Sequence, residues 1–172
     1  MERTVAEKPV IRKATDAEID ILLGIWLDKE KSLEKKGIAV WDIRQFTKEN
    51  LGRKYSAPEY CIGTLEGDAF GGFILLEEDL HFWPGRQEDN AYYFHKFVIR
   101  DKYSGMGLSK AILDWVKDRG RENGKDFIRL DFNENRDYLK KLYYGNGFER
   151  VGIASEDEEN RIVLAEYRIT RD

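Results

Sequence analysis

One cysteine, Cys61, occurs among the 172 residues, so no internal disulfide can form. It lies in the apolar run YCIGTL, where a thiol is expected to pack and not to react. No CxxC pair and no close His/Cys/Asp cluster appears along the chain, so spacing points to no metal site. Apolar runs long enough to cross a bilayer are missing, and the opening stretch MERTVAEKPVIRKAT has no apolar core of the secretory kind. The expectation is a soluble, cytoplasmic protein with no membrane partner. A basic excess is missing as well. The 33 acidic and 29 basic residues give a formal net charge of -4, which argues against nucleic acid as the main partner. No internal repeat, low-complexity tract or Pro/Gly-rich linker divides the chain.

What is present is material for one core. Hydrophobic residues make up 41% of the chain, with four Trp, nine Tyr and nine Phe, a composition that argues against disorder. Residues 1–9 read as a flexible leader and residues 10–172 as a single domain. A first strand is expected over 10–14. Thr15-Asp16-Ala17-Glu18 then matches a capping box, and Ile19, Leu22, Leu23 and Trp26 follow on one helical face. The charged stretch 28–36 reads as the solvated end of that helix, stopped by Gly37. A loop and a shorter helix are expected over 41–55. Strands over 59–65 and 69–77 flank the hairpin turn Glu66-Gly67-Asp68, and 91–99 reads as a central strand covered on both faces. Leu108, Ala111, Ile112, Trp115 and Val116 mark the cleanest helix. A strand over 127–132, a helix over 138–144 and strands over 148–154 and 162–169 complete a mixed α/β, α+β-like domain around one sheet.

The informative stretch is AYYFHKFVIRDKYSGMGLSKAILDWV. A buried strand enters a turn holding Gly105 and Gly107, and an amphipathic helix follows at once. The first amides of such a helix have no intrahelical partners, and the dipole adds about half a positive charge there. Two glycines let a ligand approach the backbone. The result is a cradle for a pyrophosphate, to which Lys102 can add a point charge. A tight turn that simply needs two glycines is the competing reading. Neither a dinucleotide fingerprint nor a P-loop is present, because Lys110 stands three residues after Gly107 and no GK[ST] follows.

Lys102-Tyr103-Ser104-Gly105-Met106-Gly107 resembles the acetyl-CoA loop of the GNAT superfamily of N-acetyltransferases, whose pattern is Gln/Arg-x-x-Gly-x-Gly/Ala. HKFVIRDKYSGMGLSKAILDWV is similar to that family's fourth strand, loop and third helix, and RLDFNENRDYLKKLYYGNGFERVG to its fifth strand, fourth helix and terminal Tyr…Gly-Phe signature. The resemblance implies a central, mostly antiparallel twisted sheet of about six to seven strands flanked by about four helices, with acetyl-CoA (coenzyme A) as cofactor. It implies direct attack of a primary amine, on a small molecule or an exposed peptide, with no acyl-enzyme. By the same resemblance, the backbone of Phe97, Val98 and Ile99 binds the pantetheine arm, and a backbone N–H near Val98 stabilises the oxyanion. Lys102, Tyr103, Ser104, Gly105, Met106, Gly107, Leu108 and Ser109 surround the pyrophosphate. Tyr143, five residues before Phe148, protonates the departing thiolate. The chain departs from the pattern in having Lys102 for Gln or Arg. It also has Arg136 where the family often has an Asn that contacts the cofactor, with Asn133 and Asn135 close by; Asn135 is carried forward as the candidate.

On the acceptor side, Glu77, Glu78 and Asp79 at the end of a strand, and His95 on the central strand, are candidate bases. Glu77 and His95 are candidate substrate contacts, while Asp131 reads as a structural partner for a nearby cation. Trp26-Leu27, Lys36-Gly37-Ile38 and Trp41 resemble the WL…KG-I-x-x-W of one branch of small-molecule acetyltransferases. That makes Trp41 a candidate wall of the acceptor site. A non-catalytic acyl-CoA-binding or partner-interaction domain of the same fold is the alternative. The acceptor's identity, and the choice between monomer and homodimer, are left open by the sequence.

Overall fold

Thr15 and Glu18 form both halves of the capping box, satisfying two otherwise free amide donors, and the helix they start, α1, runs Asp16–Lys35. The computed structural model describes residues 7–38, 41–86, 88–155, 157 and 159–170; most of the expected leader lies outside them. Strand β1 (Val10–Lys13) precedes α1, and α2 (Lys48–Lys54) follows it after a 3-10 turn at Ile43–Gln45. Strands β2 (Glu59–Leu65) and β3 (Asp68–Leu76) form a hairpin. Its two central residues, Glu66 and Gly67, have φ of 51° and 80°, the left-handed pair that matches strand twist in a two-residue turn. Then come β4 (Ala91–Ile99), α3 (Leu108–Glu122), β5 (Phe127–Asn133), α4 (Asp137–Gly145), β6 (Glu149–Ser155) and β7 (Ile162–Arg168).

The seven strands form one sheet in the order β1-β2-β3-β4-β5-β7-β6. Among the described residues, every ladder is antiparallel except β4–β5, whose parallel pairing is made possible by the α3 crossover. One face of the sheet is covered by α3 and α4 through Phe70, Phe73, Phe94, Ile112, Ile128 and Leu130. The other is covered by α1 and α2 through Leu22, Trp26, Leu51, Ile62, Ile74 and Tyr93. Cys61 is fully buried, and burial pushes its thiol well above the ordinary range, as a packing cysteine should be. No helix of the described residues is long and apolar enough to cross a membrane.

One expectation is corrected. The charged end of α1 is not wholly solvated: Glu30 is 1% exposed and Leu33 is buried. Glu30 turns inward because its Oε1 accepts the Trp41 amide at 2.7 Å, which ties the chain after α1 back onto the helix.

Two irregularities open and line a cleft in the centre of the sheet. First, β4–β5 pairing covers only Ala91↔Phe127, Tyr92↔Ile128 and Tyr93↔Arg129. β4 stays paired with β3 as far as Ile99, and β5 with β7 as far as Asn133. The two strands therefore part after Tyr93. Second, the β3–β4 register shifts between Gly72↔Val98 and Ile74↔His95, where Lys96 has φ of 54°. This is a β-bulge with a non-glycine residue in the left-handed region, a conformation that costs energy and clusters at functional sites.

Candidate active site

The open cleft leads from β4 into the glycine loop. After β4 a 3-10 turn spans Asp101–Tyr103, and α3 starts at Leu108 with Gly107 as its N-cap and no side chain capping it. Ala111 is the first to close back, its N–H donating to Gly107 O at 3.3 Å. The preceding amides of the first turn have no intrahelical acceptor. Gly105 and Gly107 have φ of 76° and 75°, and a Cβ at either would meet nothing within 4 Å. Their need is thus for a left-handed backbone beside open space, which is what a bound anion requires. Met106 is 55% exposed at the tip. Around this backbone the side chains are mostly committed to the scaffold. Lys102 Nζ pairs with Asp68 at 2.8 Å, the Tyr103 hydroxyl also donates to Asp68, and the Tyr103 ring packs on Phe70. Ser109 Oγ shares a 2.8 Å hydrogen bond with the Tyr138 hydroxyl, which joins the starts of α3 and α4.

The turn before α4 holds the Asn candidates. Asn133 Oδ1 accepts the Asn135 amide at 3.0 Å, and its Nδ2 donates to Asn160 at 3.2 Å. The Asn133 side chain is therefore occupied in shaping the turn, with Arg136 at the N-cap of α4. Tyr143 is 5% exposed and packs against Phe132 and Phe148 with ring centroids 5.0 and 5.8 Å away. Burial pushes its phenol well above the ordinary range, and Asp131 adds to the effect. Tyr144 belongs to packing, as its ring meets Phe132 edge-on and its hydroxyl donates to Glu134 at 3.0 Å.

On the α1–α2 side of the cleft a polar cluster gathers. His95 Nε2 lies 2.9 Å from Asp79 Oδ2, and its Nδ1 lies 3.6 Å from Asp131 Oδ1. Tyr55 stacks on the His95 ring at 5.4 Å. Asp79 Oδ1 accepts the amides of His81 and Phe82 at 3.1 and 3.0 Å. Burial works to raise the Asp79 carboxyl, but the bond with His95 and the two amides outweigh it and hold the group below its ordinary value. An ionised Asp79 favours the neutral ring's proton on Nε2 and leaves the Nδ1 lone pair facing Asp131. At 3.6 Å that approach is too long for a hydrogen bond, and Asp131 Oδ1 is enclosed without one. Burial pushes the Asp131 carboxyl up, Asp79 adds, and His95, Lys96 and Lys54 oppose. Two acceptors thus face each other across a gap suited to an N–H donor. Ligand atoms of Asp79, His95 and Asp131 all lie within 4.8 Å of one another, a grouping that no spacing in the sequence reveals. A metal there would have to displace the bonds that already hold Asp79 and His95.

The bulge places Lys96 beside His95 on this same side. Its Nζ lies 4.8 Å over the Trp41 ring, and its carbonyl accepts the Trp26 indole N–H at 2.7 Å. Lys29 Nζ donates to the Ile99 carbonyl at 3.0 Å and fixes the end of β4. Trp41, the candidate wall residue, therefore borders the cluster. Glu77 does not join it. Its side chain is 74% exposed and pairs with Lys125 at 2.8 Å, so of the acidic run after β3 it is Asp79 that reaches His95. Lys54, Tyr55 and Lys96 carried no signal in the sequence. Surface grooves of about 360 and 240 Å³ lie beside α1 and Arg100; neither is lined by His95, Asp131 or Tyr143, and the site is defined by the parted strands and the helix start instead.

The mixed seven-stranded sheet thus parts at its central pair beside a glycine loop and an uncapped helix start. The acetyltransferase (GNAT) domain matches residues 29–171, and the chain belongs to that family. It is 28% identical over 76 residues to the uncharacterized N-acetyltransferase YesJ of Bacillus subtilis (strain 168), a match that covers 44% of this chain and 42% of YesJ. Among solved structures, a GNAT-family acetyltransferase of Listeria monocytogenes superposes with a TM-score of 0.72 at 22% identity, covering 93% of this chain and 94% of that one. The spermidine N-acetyltransferase of Vibrio cholerae, solved with CoA and spermine, superposes with a TM-score of 0.67 at 12% identity, covering 94% of this chain and 95% of that one.

Proposed function

We propose that this chain is an acetyl-CoA-dependent N-acetyltransferase acting on a primary amine, carried by a small molecule or exposed on a peptide. The observation that carries the reading is the path formed by the end of β4, open on its β5 side, running into an uncapped helix start with two left-handed glycines. Acetyl-CoA, when bound, supplies an acetyl group activated as a thioester. The residues fit such a ligand. The backbone of Phe97, Val98 and Ile99 is an edge that an extended pantetheine arm can join as a strand would. The amides of Gly105 through Ser109 are suited to donate to a diphosphate, those of Tyr103 and Ser104 being held by the Arg100 and Asp101 carbonyls, and Asn135 stands in the turn before α4. That relatives in the fold are solved with CoA supports the same ligand here.

The chain's own groups supply the proton transfers. An acceptor ammonium must lose a proton before it can attack, and His95, fixed by Asp79, offers the Nδ1 lone pair to take it. Tyr143, kept protonated by burial, is suited to give a proton to the departing sulfur. A backbone N–H near Val98 can stabilise charge that develops on the thioester oxygen. The test is calorimetric titration with acetyl-CoA, followed by a thiol-release assay against a panel of amines. Sustained, acceptor-dependent CoA release supports the enzyme. Tight binding with no release across the panel supports the acyl-CoA-binding alternative instead.

A further inference from the structure

Lys96, which is buried, and Asp131, which is partly buried, border this cleft with opposite charge and form no ion pair with each other. Lys96 is 8% exposed, and among the described residues no carboxylate forms an ion pair with it. Its surroundings are the Trp41 face, held by the Glu30 bond to the Trp41 amide, the ammonium of Lys54, and the carboxylates of Asp131 and Glu30, which act on it without forming an ion pair. Lys54 sits at the end of α2, its Nζ 5.5 Å from the ring of Tyr55, which stacks on His95. A buried ammonium with a second, exposed ammonium beside it is costly unless an anion joins them. Across the cluster, Asp131 Oδ1 is enclosed and accepts no hydrogen bond. Asp131 and Lys96 influence each other yet do not form an ion pair.

We propose that the acceptor is a primary amine that also bears a carboxylate, an acceptor of the amino-acid class, with its nitrogen at Asp131 and His95 and its carboxylate at Lys54 and Lys96. Such a molecule carries a cation for the Asp131 oxygen that accepts no hydrogen bond and an anion for the Lys96 ammonium that forms no ion pair. Trp41 and Tyr55 form its apolar walls. Burial and the neighbouring Lys54 push the Lys96 ammonium down to about 7, the mark of a cation still waiting for its anion. The proposal rests on the acetyl-transfer reading and narrows its substrate.

The test compares matched acceptors in the thiol-release assay: amino acids, their carboxamides and their decarboxylated amines. The wild-type protein is expected to favour the carboxylate-bearing member by about tenfold or more in kcat/KM, the scale of one charge-assisted hydrogen bond. Lys96→Met and, independently, Lys54→Met should each erase most of that preference through KM, and Lys96→Arg should restore part of it. Lys54→Met keeps the test alive should Lys96→Met fail to fold. Preference for the decarboxylated amine, or equal losses on both acceptors in the Met variants, overturns the proposal. Acetyl-CoA binding with no turnover of any amino acid also overturns it while leaving the cofactor assignment standing. Failure to bind acetyl-CoA removes both.

Discussion

The two halves of the candidate site are built from different parts of the chain. The glycine loop is backbone: its donors are amides, its shape comes from φ at Gly105 and Gly107, and its side chains are tied to the scaffold or exposed. The proposed acceptor cluster is side chain: Tyr55 at the end of α2, Asp79 after β3, His95 and Lys96 on β4 and Asp131 on β5 owe their meeting to a bulge and a parted pair of strands. A backbone site tolerates side-chain truncation and fails when the backbone is blocked. A side-chain site behaves in the opposite way.

The largest expected effect comes from blocking the backbone. Gly107→Trp forces a bulky residue into the left-handed region and fills the open face of the loop, so acetyl-CoA affinity should fall by more than about a hundredfold, roughly 3 kcal/mol, in calorimetric titration. Next comes Tyr143→Phe, which removes only the hydroxyl. Turnover should drop by about 10²-fold, the low end for a positioned acid, with acetyl-CoA affinity nearly unchanged. Full activity in that variant would remove Tyr143 from the reaction.

A third effect concerns stability. The folded-state value of Lys96 is lowered from 10.5 to about 7, so between those values the unfolded chain binds more protons than the folded one. Wild-type stability contributed by this residue must therefore rise with pH across that window, by at most about 1.4 kcal/mol per unit. Lys96→Met should be stabilising near pH 6, and its advantage should shrink towards pH 9 in thermal melts. A constant difference would mean that Lys96 is not held in the buried, unpaired state described. The smallest effect tests the backbone half again: Lys102→Ala should change acetyl-CoA affinity by less than about threefold, because that ammonium already serves Asp68.

The same contrast explains what the sequence disclosed. The bounds of β2 and β4, the capping box of α1, the β2–β3 turn and the loop before α3 all depend on neighbours within a few residues, and each was legible. Gly105 and Gly107 could be read because a left-handed backbone has a residue-type signature. The bulge at Lys96 has none, since lysine is an unusual occupant of positive φ, and so Lys96 could not be singled out. Asp79 was one of three adjacent acids, and only the turn that donates two amides to its carboxylate sets it apart from the exposed Glu77. Glu30 looked like a surface charge until the chain at Trp41 folded back onto it.

The proposed cofactor capture rests on amides at the start of α3 holding the diphosphate, and backbone amide NMR spectra recorded during titration with coenzyme A report on those groups directly. The largest shifts are expected at Gly105, Gly107, Leu108 and Ser109, with smaller ones along Phe97 to Ile99. Saturable binding that left the 105–109 amides unmoved would contradict that assignment.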